Sequence, residues 1–346
     1  MKAKTIKKII KSKLNFWFRS IEDENIRKIA QENTIVTGGC IVSMLLNEEV
    51  SDYDIYFRTP EAAFKIAEYY VARFAENPSP TFKHGRDIKI SAKLEPEVKE
   101  GQTDHTRIGI QVGPLPPRVR IIVKSAGMAT EDEQKEYQYF EGINDPTEQA
   151  ELVDAYINAT SELDEIKSEE LDVKDHDKNA TKKAFRPIFL TSNAITLADE
   201  VQLIIRFQGE PEEIHKNYDF VHCTNYYTSW DDEIVLQKDA LECILNKELK
   251  YIGSKYPLCS VIRTRKFITR GWTINAGQYV KMCWQISQLD LSDINVLEDQ
   301  LVGVDSAYFH QIIQGLKEKQ EENAKGGLTT DVDGTYLMTL VDKIFN

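Results

Sequence analysis

The chain is short of cysteine: five in 346 residues (Cys40, Cys223, Cys243, Cys259 and Cys283), an odd number, widely scattered and without a CxxC pair. That pattern excludes a zinc ribbon and a disulfide framework and fits reduced thiols in a cytoplasmic protein. No apolar run approaches the roughly 20 residues that a membrane helix needs, so no membrane partner is expected. The basic start, Met1 to Lys13, lacks the apolar core and cleavage site of a signal peptide and reads as a lysine-studded amphipathic helix. Acidic residues are absent from Leu249 to Leu289, a stretch that carries Lys250, Lys255, Arg263, Arg265, Lys266, Arg270 and Lys281. The gap is informative because the whole chain carries a net charge of −13. Between Glu131 and Lys178 stand 17 acidic and 4 basic residues, which match that entire excess. The acid-free stretch is therefore the candidate polyanion-facing surface, and the low-complexity run Glu162 to Lys183 reads as a self-repelling loop.

Against this background one short constellation stands out. Gly38-Gly39 follows the apolar pair Ile35-Val36, and Asp52-Tyr53-Asp54 comes after twelve intervening residues. Glycines there permit a tight turn and the close approach of backbone N–H groups to a phosphate. Cys40 to Leu46 reads as a buried helix whose N-terminus points at that anion. In the strand Val50 to Phe57, period-2 geometry places Asp52 and Asp54 on one face, with Cα atoms roughly 6–7 Å apart. Two carboxylates facing the same way repel unless a cation lies between them, which is how oxygen-ligand Mg²⁺ sites for nucleotide phosphates are built. The bare DxD pattern has little weight of its own, because Asp175/Asp177 and Asp331/Asp333 repeat it outside any apolar strand or Gly-Gly context. The plain alternative for Asp52 and Asp54 is a solvated edge strand.

Gly38-Gly39-x12-Asp52-x-Asp54 resembles the opening motif of the DNA polymerase β-like nucleotidyltransferase superfamily. Within it, Gly38 to Leu46 is most similar to the head of tRNA nucleotidyltransferases and poly(A) polymerases, except that Val42-Ser43 stands where those enzymes commonly have Arg-Asp. The chain also resembles phage-encoded nucleotidyltransferase-like proteins. The resemblance implies an NTP substrate, two Mg²⁺ ions held by Asp52, Asp54 and a third carboxylate, and nucleotide contacts from Gly38, Gly39 and Ser43. Asp219, in Asn217 to Cys223, is the candidate third acid, placed on a strand following Val201 to Phe207 and the Gly209-Glu-Pro211 turn; Asp199 is its alternate. The resemblance further assigns Ser260 to Ile268 to the arginine-bearing helix of these enzymes, so that Arg263, Arg265 and Lys266 face a triphosphate or an RNA backbone. A solvated basic helix face is the bland reading of the same residues. Gly271-Trp272 and Tyr279 are candidate stacking surfaces for bases, or simply core.

The expected fold is α+β: a mixed-sheet nucleotidyltransferase core split between residues 1–75 and 185–245, an insertion at 76–184, and a helical C-terminal domain at 246–346. Thr59-Pro60 marks a helix start. The insertion offers strands at Ile88–Ile90, Ile108–Val112 and Val119–Val123, and helix-like character at Thr147–Ala159. Phe185 to Leu197 should pair with Val201 to Phe207 through the Ala198-Asp-Glu200 turn. Helices are expected at Leu236–Leu249, Pro257–Thr269, Ala276–Leu289, Val296–Leu301, Ser306–Lys319 and Leu337–Ile344, with Asn323 to Gly327 a linker. The function expected is transfer of a nucleoside monophosphate to a hydroxyl, with an RNA 3′ end as acceptor through the 249–289 stretch. The rivals are transfer to a protein or small molecule, and a non-catalytic nucleotide- or RNA-binding protein.

Overall fold

The computed structural model describes residues 1–76, 88–101, 103–104, 111–112, 114–125, 137–138, 185–191, 193–301, 306–327 and 333–345. The Asp175/Asp177 pair, Ser192, the 147–159 helix, most of the 108–112 strand and the acidic run to Lys183 lie outside the described residues. Two compact units emerge. The first takes the described residues of Met1–Ile143, Ala150–His215 and Cys223–Gln237, and the second those of Lys216–His222 and Lys238–Asn346. Among the described residues no helix is long and apolar enough to cross a membrane.

The first unit opens with α1 (Ala3–Ser20), whose buried Ile6, Ile10, Leu14 and Trp17 recur at helical spacing on one face. Asp23 then caps α2 (Glu24–Asn33) by accepting the N–H groups of Asn25 and Ile26. Next come β1 (Thr34–Thr37), α3 (Gly39–Leu46), β2 (Tyr53–Phe57) and α4 (Pro60–Glu76). The start of α4 follows the sequence expectation: Thr59 Oγ1 accepts the Ala62 N–H at 3.1 Å, with Pro60 in the first turn. Trp17 is fully buried and donates its indole N–H to the Tyr70 hydroxyl at 2.7 Å, tying α1 to α4. Trp17→Ala should cost about 3–5 kcal/mol in urea unfolding, and Trp17→Phe far less, because the phenyl ring keeps most of the buried volume.

The remaining strands are β3 (Ile88–Glu95), β4 (Thr103–Asp104), β5 (Gln111–Val112), β6 (Arg118–Ser125), β7 (Tyr137–Gln138), β8 (Pro187–Leu190), β9 (Ala194–Leu197), β10 (Val201–Gln208), β11 (Tyr226–Thr228) and β12 (Glu233–Val235). Seven of the strands form one sheet in the order β12-β11-β1-β2-β10-β9-β8. The β2–β10 pair is parallel and its other pairs are antiparallel, so the sheet is mixed. The β9–β10 hairpin forms through Ala198 to Glu200 as expected, with Leu197 opposite Val201. Of the described residues within 76–184, strands β3 and β6 pair over eight residues, and Val119 and Ile121 of β6 join the buried cluster of α1, α4 and the sheet.

The second unit is helical: Lys238–Asn246, Pro257–Thr269, Ala276–Ile286, Ile294–Leu301, Ser306–Lys325 and Gly334–Phe345. Ile294, Leu297, Leu301, Ile312, Ile313 and Leu316 form its buried apolar cluster. Asn323 to Lys325, read from sequence as linker, end the long helix instead, and the turn begins at Gly326. The segment Asn217 to Cys223 is not a strand of the sheet. Asp219 lies in a bend, Phe220 makes a single bridge to Tyr251, and Val221–Cys223 form a 3-10 turn. The physical reason is the burial of Phe220 against Tyr251 and Phe267, while the three-residue β11 takes the place beside β1.

Candidate functional site

Strand β1 is buried along its whole length and ends at Thr37, which stands opposite Asp54 in β2. The next residue, Gly38, has φ 91° and ψ −145°, a conformation closed to residues with a Cβ. Gly39 begins α3, whose N-cap is Gly38, so its own cap residue offers no side-chain acceptor. A network holds the turn from behind. The Gly38 N–H donates to the Cys223 carbonyl at 3.2 Å. Thr37 Oγ1 lies 2.9 Å from the Asn225 carbonyl and 2.9 Å from His215 Nε2. The hydroxyl has one proton and the carbonyl can only accept, so Thr37 donates to Asn225 and His215 Nε2–H donates to Thr37. Gly38→Ala should therefore cost roughly 1–3 kcal/mol in a thermal melt. Gly39→Ala should be nearly neutral, because a Cβ there meets nothing within 4 Å.

Strand β2 sorts its side chains by parity. Tyr53, Ile55 and Phe57 enter the core, while Asp54 is half-buried on the opposite face; the strand expected from Val50 begins only at Tyr53, so Asp52 lies just before it and is exposed. Asp52 accepts a hydrogen bond from Ser51 Oγ at 2.8 Å. Both carboxylates act on Cys40 in the first turn of α3, whose thiol pKa is pushed well up by burial first, then by Asp54 and Asp52. The structure thus brings Gly38, Gly39, Asp52 and Asp54 together at one end of β1 and β2. A helix N-terminus that attracts anions stands there beside two carboxylates that attract cations.

Among the described residues, no group of three or more His, Cys, Asp or Glu side chains is arranged to hold a metal ion. The donor set Asp52 plus Asp54 nonetheless fits Mg²⁺, which binds through one or two carboxylates completed by water and substrate phosphate oxygens. The acids that β10 brings beside β2 are Asp199 and Glu200: the Glu200 carbonyl accepts the Tyr53 N–H at 2.7 Å. Lys13 of α1 answers their charge, with Nζ 2.8 Å from Asp199, 3.9 Å from Glu200 and 5.1 Å from the Tyr53 ring centre.

Other expected site residues fall elsewhere. Ser43 is buried inside α3 rather than opening onto the carboxylates. Asp219, Arg263, Arg265 and Lys266 all belong to the second unit. There Asp219 pairs with Arg263 at 2.8 Å, so that one guanidinium is already committed, while Arg265 and Lys266 are exposed. Trp272 is core, packed 4.4 Å from the His222 ring, and Tyr279 is half-buried. Sequence reasoning missed His215 and Lys13. Neither carries a local signal, because His215 meets Thr37 across 178 residues and Lys13 meets Asp199 across 186.

The sequence profile of the Gabija anti-defense 2 family matches residues 8–247, more than half of the chain. A protein described as Gabija anti-defense 2, from Bacillus phage SPbetaL7, is 22% identical over 163 residues, which cover 46% of this chain and 38% of that protein. The match thus spans well under half the length of this curated relative. No solved structure matches. The extent of the profile match establishes that the chain belongs to the Gabija anti-defense 2 family.

Proposed function

We propose that this chain is a Mg²⁺-dependent nucleotidyltransferase that moves a nucleoside monophosphate from an NTP to a hydroxyl, and that this transfer underlies an anti-defence role. One observation carries the reading: the Gly38 turn opens α3 directly beside Asp52 and Asp54, with Thr37 opposite Asp54 in the sheet. Bound between these carboxylates, Mg²⁺ would neutralise phosphate charge and orient the leaving pyrophosphate. The chain's own residues do the rest. First-turn N–H groups of α3 receive phosphate oxygens, and Gly38 lets the backbone approach them closely. Asp52 and Asp54 fix the donor geometry, and His215 with Thr37 keeps the turn in place. The acceptor oxygen attacks the α-phosphorus, the bond to pyrophosphate breaks, and the hydroxyl proton passes to a third carboxylate. Asp199, held by Lys13 at 2.8 Å, and Asp219, held by Arg263 at 2.8 Å, are the two candidates for that role.

The acid-free 249–289 stretch favours an RNA 3′ end as acceptor. Membership of an anti-defence family favours a second reading, transfer to a protein or small molecule of the defence system. Incubating the protein with each α-³²P-NTP and Mg²⁺, over total RNA and total protein from host cells, separates the two. Label on RNA supports the first and label on protein the second. Label from no NTP on RNA, on protein or in the small-molecule fraction of the same cells, at any Mg²⁺ concentration, would remove the enzymatic proposal.

A further inference from the structure

The helix Ala276–Ile286 buries Met282 and turns its opposite side to solvent. On that side Val280 is 67% and Trp284 71% exposed, four residues apart and hence one helical turn from each other. Lys281 is three residues before Trp284, so the two side chains leave the helix on the same side. Lys281 Nζ donates to the Tyr251 carbonyl at 3.2 Å and to Gln278 Oε1 at 3.2 Å. Both partners are neutral, so the cation is held in position and its charge stays available. The helix Pro257–Thr269 packs against this one and exposes Arg265 and Lys266, neither of which meets a carboxylate among the described residues. Since no acidic residue occurs from Leu249 to Leu289, this helix pair carries a positive field with an uncovered indole on it.

We infer that this face binds single-stranded nucleic acid, with a base stacked on Trp284 and backbone phosphate at Lys281. Stacking needs only an open π-face and a nearby cation, and both are here. A protein partner would call for a broader apolar ring that keeps water from the central aromatic, whereas the exposed residues three and four positions from Trp284 are Val280, Lys281, Ser287 and Gln288, three of them polar. Trp272, the other tryptophan in the acid-free stretch, is buried and does not take this role. The inference rests on the proposed transfer to RNA only for its biological use, because the binding itself needs neither NTP nor Mg²⁺.

The test titrates the full chain with a 15-nucleotide single-stranded RNA, without nucleotide or Mg²⁺, following tryptophan fluorescence and anisotropy of the labelled RNA. Trp284 emission should be quenched on binding. Trp284→Ala should weaken binding by about tenfold or more, and Trp284→Phe should retain most of it. Lys281→Gln should lower the slope of log K against log salt by about 0.7, the share of one phosphate on a single strand. At 71% exposure Trp284 supports no core, so the variants should melt with the wild type. Unchanged affinity in Trp284→Ala would overturn the inference, as would absence of RNA binding at about 50 mM salt. RNA binding without nucleotidyl transfer would leave this inference and remove the enzymatic one, and transfer without RNA binding would do the reverse.

Discussion

Asp54→Asn should reduce nucleotidyl transfer on the order of 10³-fold or more, about 4 kcal/mol of transition-state stabilisation at 1.36 kcal/mol per factor of ten. The carboxamide keeps the shape of the side chain but removes half of the charge that would hold Mg²⁺. Any rise in melting temperature that Mg²⁺ and NTP give the wild type should shrink in the variant. In cells carrying the Gabija defence, the variant should also lose whatever protection the wild type gives an infecting phage. Transfer at wild-type rate by Asp54→Asn would sink the catalytic reading.

The heart of this site was legible because its signals are local. Gly-Gly punctuation and the Thr59-Pro60 cap operate within a few residues and fell where the sequence put them, whereas the strand expected over Val50 to Phe57 begins only at Tyr53 and leaves Asp52 just outside it. The helix Pro257–Thr269 was read to the residue for the same reason. Asp219 misled because Tyr218, Phe220 and Val221 look like a strand, yet Phe220 is drawn to Tyr251 and Phe267 and the carboxylate to Arg263. Strand β11 was invisible: three residues are too few for alternation to show. The alternation of Val119 and Ile121 with Arg118 and Arg120 marks a strand, but it does not say which core those side chains enter. His215 and Lys13 acquire their roles only through the tertiary fold.

Acidification from pH 6.5 to pH 4 should remove about 3 kcal/mol from each unit, one contribution from His215 and one from His222. Burial depresses both pKa values to about 4, opposed at His215 by Glu212. At His222 Asp219 also opposes burial, and Arg270 reinforces it. Above pH 6.5 both rings are neutral in the folded and unfolded chain, so they contribute no pH dependence. Below it the unfolded chain takes up protons that the folded one refuses, and stability falls until the folded pKa is reached. His222 is fully buried between Phe220, Phe267 and Trp272, and neither ring nitrogen has a hydrogen-bond partner among the described residues. His222→Phe should therefore stabilise the second unit at pH 7 by about 1–3 kcal/mol and flatten its share of the acid decline. Urea unfolding at pH 7, 6, 5 and 4.5 checks both, and a variant whose stability runs parallel to the wild type would refute the assignment.

Strands β2 and β10 lie side by side, with Tyr53 opposite Val201, although the chain runs from Arg58 to Glu200 between them. Closing a connection costs entropy only logarithmically in its length: each doubling adds about 0.6 kcal/mol. The interval between these neighbours can therefore change in length at little cost wherever the change leaves α4, β3, β6, β8 and β9 in place. The path from Thr37 to Asp54 has no such freedom. Its two ends are locked in register, and between α3 and β2 only Asn47 to Asp52 are irregular, so an insertion that spares the glycine turn and Asp54 has only that short loop to enter.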